Sequence, residues 1–182
     1  MIVGCEGSGQ SGSAFVFLSV VSFSLDGTTG VGAVNSSIND VNASTAVCVT
    51  LRNNLKNPTV TTPTSLDNVT IESYTVTLKR LDGGALPGPF TFNTSVLVPA
   101  GTVDADTVTG NTVTFLVVVV PASTKRDPVV QPPTRLPLTA TADVLFRGRD
   151  GRGQRLETTG GVTVVFVSEG ESVATCTGTT TT

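Results

Sequence analysis

Ala140-Thr141-Ala142-Asp143-Val144-Leu145-Phe146 and, after an Arg/Gly-rich turn, Gly161-Val162-Thr163-Val164-Val165-Phe166 are the stretches on which the reading of the fold depends. Ala140, Ala142, Val144 and Phe146 recur at every second position, as do Val162, Val164 and Phe166. A period of two puts each set on one face of an extended chain, so both stretches read as strands with one buried face. Arg149-Asp150-Gly151-Arg152-Gly153 lies between them and suits a tight turn. The unit is a β-hairpin.

The same pattern extends backwards along the chain. Thr112 to Val120 is apolar at every position from Phe115 onward, which predicts a central strand covered on both faces. Val69 to Arg80 changes phase: Val69 and Ile71 share one parity, Tyr74, Val76 and Leu78 the other. A one-residue bulge near Glu72-Ser73 would bring both sets to the core. Asp82-Gly83 signals a turn, Phe90 to Phe92 starts a short strand, and Val96 to Val98 is another candidate. Thr45 to Leu51 places Val47, Val49 and Leu51 on one face and Cys48 on the other. Ser13 to Leu25 places Phe15, Phe17, Val21, Phe23 and Leu25 together. The polar Val31 to Ser44 is a connection or short edge strand. Ala122 to Pro137, with four prolines, predicts an extended surface connection.

No helical period and no fixed repeat occurs, and valine and threonine dominate, as β-branched residues do in sheets. The expected fold is all-β, a single antiparallel sandwich of about seven to nine strands, with a jelly roll as the alternative. Residues 13–168 form this domain, 1–12 precede it as a tether, and 169–182 follow as a polar tail.

Composition excludes several chemistries. The 182 residues contain no histidine, no tryptophan and three cysteines. Ser-His-Asp and Cys-His nucleophile systems, His-containing zinc sites and four-cysteine sites are therefore absent. The net charge of −3 disfavours non-specific nucleic-acid binding. No apolar run approaches the roughly 20 residues that a membrane-spanning helix needs.

Ile2-Val3-Gly4-Cys5 resembles the lipobox of bacterial lipoproteins, and the Gly/Ser-rich Gly7 to Ser13 behind it has linker composition. The resemblance implies that Cys5 is lipidated and becomes the N-terminus. Only Met1 to Gly4 precede Cys5 and none is basic, so it also implies a longer signal reaching upstream of Met1; the alternative is an accidental match. Glu6 rather than aspartate after the cysteine would favour the outer membrane. With Cys5 lipidated, one accounting of the remaining cysteines is a Cys48–Cys176 disulfide in an oxidising compartment; the other is three unpaired thiols. The closing hairpin, in turn, resembles those of immunoglobulin-like and fibronectin-III-like sandwiches on bacterial surfaces, without the Cys–Trp–Cys signature of antibody domains.

The implied function is that of a non-enzymatic cell-envelope lipoprotein, structural or protein-interacting, held to the membrane by its lipid anchor and facing an envelope protein or glycan. One alternative is a surface fibre or adhesin subunit that oligomerises through edge strands, with Ala14 to Leu25 as a donated strand. Another is an anion- or calcium-binding module. Arg147, Arg149, Arg152 and Arg155 are the candidate anion site; a charged hairpin tip that blocks edge pairing is the plainer reading. Asp104 and Asp106 are weak calcium candidates, since aspartate is also an ordinary turn residue. No other cofactor is expected. Among the carboxylates, nothing in the sequence brings two together for glycoside hydrolysis.

Overall fold

The computed structural model describes residues 15–56, 63–104, 107–131 and 136–177. In chain order the strands are β1 (Val16–Ser24), β2 (Ala33–Ser37), β3 (Thr45–Leu55), β4 (Val69–Arg80), β5 (Phe90–Val98), β6 (Thr102–Asp104), β7 (Thr107–Thr109), β8 (Asn111–Val120), β9 (Leu138–Asp150) and β10 (Arg155–Val167). A 3-10 turn (Ser65–Asp67) precedes β4, and one helical turn, α1 (Ala122–Lys125), follows β8. The chain is all-β, as its alternation predicts.

Two sheets share one core. The smaller has the order β1-β3-β8, the larger β2-β10-β9-β4-β5, and β6 and β7 form a separate short hairpin. Every pairing is antiparallel except that of β2 with β10, which is parallel. Alternate residues of β9 and β10, among them Ala140, Ala142, Val144, Phe146, Val162, Val164 and Phe166, are buried in the core. Phe115 of β8 meets Phe146 of β9 edge to face at 5.9 Å, and Tyr74 stacks on Phe92 at 5.0 Å. Such pairs add about 0.5–1.5 kcal/mol beyond their buried area. Polar contacts join the sheets as well. The Val118 N–H donates to the Tyr74 hydroxyl at 3.1 Å, and Asn53 Nδ2 donates to the carbonyls of Asp67 and Val98.

The predicted bulge in β4 is present. The register shifts between Ile71 and Ser73 against both neighbours, and Val69, Ile71, Tyr74, Val76 and Leu78 are all buried. Val31 to Ser44 supplies the edge strand β2, and the two predicted segments from Phe90 to Val98 are one strand.

Three expectations are corrected. In β1 the buried residues are Val16, Leu18 and Phe23, while Phe15 and Val21 are exposed. A register shift between Val20 and Ser22 changes the parity midway, and the run is apolar at both parities, so its alternation could not say which face is inner. β8 is an edge strand rather than a central one, with Leu116 exposed. The segment after Pro121 is not extended: it folds into α1 and a series of turns, and Lys125 is wholly buried.

The cause of that last fold lies in the segment after β10. Lys125 Nζ donates to Glu171 at 2.9 Å, and Glu171 also accepts from the Ser37 N–H and the Thr45 hydroxyl. Thr45 is further hydrogen-bonded to Ser36. Ser172 and Asn35 exchange two bonds, one from each backbone N–H, and the Thr175 N–H donates to the Leu25 carbonyl. Cys176 then bonds to Cys48, with Cα atoms 5.5 Å apart. Cys48 points away from the shared core, as predicted, yet it is fully buried.

Replacing both Cys48 and Cys176 by alanine is expected to remove up to about 5 kcal/mol, the loop-closure value for a separation of 128 residues. Urea unfolding with and without reductant measures it, and coincident midpoints would show that the bond adds nothing. Glu171→Ala leaves the buried ammonium unpaired and should cost about 3–5 kcal/mol. The Lys125→Met, Glu171→Gln pair, which removes both charges, should recover most of that loss in the same assay.

Candidate functional site: a cleft of arginines and glutamates

The bulge in β4 turns Glu72 outward, and Gly148 of β9 lies against it. A Cβ on Gly148 would run into the Thr70 carbonyl oxygen and stand 3.1 Å from the Ile71 Cα, so the close approach of β4 and β9 requires glycine there. Arg147 and Arg149 flank Gly148 and project to the outer face of the larger sheet. On β10, Glu157 is opposite Arg147 and Arg155 is opposite Arg149. These residues line a shallow cleft of about 200 Å³.

Its charges alternate. Arg147 Nε donates to Glu157 at 2.8 Å, and Arg149 Nε stands 3.3 Å from Glu72. Arg149 and Arg155 are like charges directly across an antiparallel pair, an unfavourable arrangement that Glu72 offsets. Both ion pairs are about half exposed, so each contributes at most about 1 kcal/mol. An anion, or a ligand with several hydroxyls, can exchange with Glu72 or Glu157 at little cost.

Arg152 is different. It reaches away from the cleft to Asp67 Oδ1 at 2.6 Å and to the Leu66 carbonyl, and its guanidinium lies 4.8 Å from the centre of the Phe15 ring. The four arginines of the hairpin therefore divide: Arg147, Arg149 and Arg155 line the cleft, and Arg152 ties the hairpin to the 3-10 turn. Burial raises the Asp67 carboxyl pKa, but the Thr64 N–H and hydroxyl and the Arg152 charge outweigh it and hold the group below its ordinary value.

The other turn aspartates act as turn residues. Asp26 accepts from the N–H groups of Thr28 and Thr29, which bring its pKa down to about 2. Asp82 pairs with Arg80 and accepts from the Gly84 N–H. Asp150 accepts from the N–H groups of Arg152 and Gln154. Of the calcium candidates, Asp106 is outside the described residues, as is Cys5, and Asp104 ends β6. No group of three or more Cys, Asp and Glu side chains that could hold a metal ion occurs among the described residues.

Sequence reasoning found the arginines but not their partners Glu72 and Glu157, because the pairing depends on the register of three strands. It missed the Lys125–Glu171 network entirely. Nothing local distinguishes a lysine in a proline-rich connection, or a glutamate in a polar tail, from a solvated one.

Because the Asp67 pKa is depressed in the fold, its contribution to stability is present above the ordinary carboxylate pKa of about 3.9 and is lost as pH falls through the folded value. Arg152→Met removes one lowering cause. The Asp67 carboxyl should then titrate at higher pH by carbon NMR, and acid unfolding should begin earlier; an unchanged titration would mean that Arg152 does not act on Asp67.

No known protein family, curated protein or solved structure matches this chain.

Proposed function

We propose that the chain is a lipid-anchored protein of the bacterial cell envelope, outside the cytoplasm, in which one immunoglobulin-like sandwich plays a structural or protein-interaction role without catalysis. The observation that carries this reading is the Cys48–Cys176 bond, which joins residues 128 positions apart. Such a bond persists in an oxidising compartment and is rare where thiols are kept reduced. It also leaves Cys5 as the one remaining cysteine, in the sequence context that resembles a lipobox.

The immunoglobulin-like assignment draws on strand order. β1-β3-β8 against β10-β9-β4-β5 corresponds to strands A, B and E against G, F, C and C′ of that architecture. The non-catalytic assignment draws on what the charged side chains do. Glu171, Asp67, Glu157 and Glu72 each face a cation, and Asp26, Asp82 and Asp150 bind turn backbone. The pairing of β1 with β3 of its own chain favours a self-contained domain over strand donation to a neighbour.

The test is metabolic labelling with an alkyne-tagged fatty acid in a bacterial host, using the gene with its native upstream sequence. The wild-type protein should carry the label and enter the detergent phase on phase separation, and Cys5→Ser should do neither. Labelling that survives Cys5→Ser, or no labelling at all, would overturn the anchor.

A further inference from the structure

The end of the molecule at which the described chain begins has a distinctive surface. Phe15, immediately before β1, is 56% exposed, and Leu66 in the 3-10 turn is 48% exposed. Arg152 connects them, with its guanidinium over the Phe15 ring and one nitrogen on the Leu66 carbonyl. The Lys56 N–H donates to the Phe15 carbonyl, which places exposed Lys56 beside them. Arg149 and Arg155 stand at the base of the same hairpin. Of the carboxylates at this end, Asp67 and Asp150 are 4% and 5% exposed and are held by hydrogen bonds, and exposed Glu72 is paired with Arg149, whereas Lys56, Arg152 and Arg155 are exposed.

We infer that this end is a membrane-apposed face: Phe15 and Leu66 enter the headgroup region of an anionic bilayer, and Lys56, Arg149, Arg152 and Arg155 meet its phosphates. Two large apolar side chains within a group of cations fit an interface that is apolar below and negatively charged above. A sugar polymer would satisfy the cations but not the apolar pair. Position supplies the second argument, which rests on the lipid-anchor reading. The chain from Cys5 to Phe15 spans at most about 35 Å when fully extended. An anchor on Cys5 therefore keeps this end, rather than the opposite one, near the bilayer, and raises the local concentration of lipid headgroups around weak cationic contacts.

The experiment uses the full chain carrying Cys5→Ser, so that no acyl chain contributes, with the Cys48–Cys176 bond intact. Co-sedimentation is measured with phosphatidylcholine vesicles and with vesicles in which about a third of the lipid is phosphatidylglycerol. Binding should favour the anionic vesicles and decline with salt. Lys56→Glu and Arg155→Glu should each weaken it by about fivefold or more, and Phe15→Ser with Leu66→Ser should reduce it at low salt. All four residues are exposed, and circular dichroism confirms that each variant is folded. Equal partitioning into neutral and anionic vesicles, or variants that bind like the parent, would overturn the face. So would full retention of binding by Phe15→Ser/Leu66→Ser together with equal competition by a soluble anionic polysaccharide, which would make the occupant a glycan. Failure here leaves fatty-acid labelling of Cys5 unaffected, so the anchor and the face stand or fall separately.

Discussion

The Cys48–Cys176 bond holds together two parts of the molecule that no strand pairing joins. Cys48 lies on the outer face of the smaller sheet, and Cys176 belongs to the segment that leaves β10 of the larger one. On its way that segment places Glu171 against Lys125, Ser37 and Thr45, and pairs Ser172 with Asn35 on the edge strand β2. Burial of Lys125 follows from this arrangement, because an ammonium removed from water needs a carboxylate beside it. The helical turn after Pro121 follows in turn, since it delivers Lys125 inward. One covalent constraint thus accounts for the covering of Cys48, the fold of the proline-rich connection and the polar cluster at the sheet edge.

A second constraint is the bulge in β4. It lets two apolar runs of opposite parity share one core, and the residue it extrudes, Glu72, supplies one wall of the arginine cleft. Gly148 is the complementary feature on β9. The same device recurs in β1, where the shift near Val21 returns Phe23 to the core. Core packing and the arginine cleft therefore have a common origin in a local loss of register.

Where a segment had polar residues at one parity, the sequence disclosed both element and face, as in β9, β10 and β4, including the position of the bulge. Where both parities were apolar, it disclosed only the strand. Phe15 and Val21 read as core residues because Val16, Leu18 and Val20 offered an equally good alternation, and only the pairing with β3 chooses between them. β8 read as central because its outward Leu116 and Val118 are apolar too. The site was legible as four clustered arginines. Their division into three that line a cleft and one that grips Asp67 needed the third dimension, as did the pairing of Lys125 with a residue 46 positions away.

The register of β1 and β3 has a mechanical consequence. Val16 pairs with Leu55 at one end of the ladder, and Ser24 pairs with Cys48 at the other. A pull on the chain at Phe15, opposed by a pull at Cys176, reaches β3 through the disulfide at the end farthest from Val16. The two antiparallel strands are then drawn past one another lengthwise, so their ladder bonds share the load instead of opening one after another. β10, the last strand in sequence, is bypassed by the covalent route, and tension between the two ends of the domain is borne by the smaller sheet.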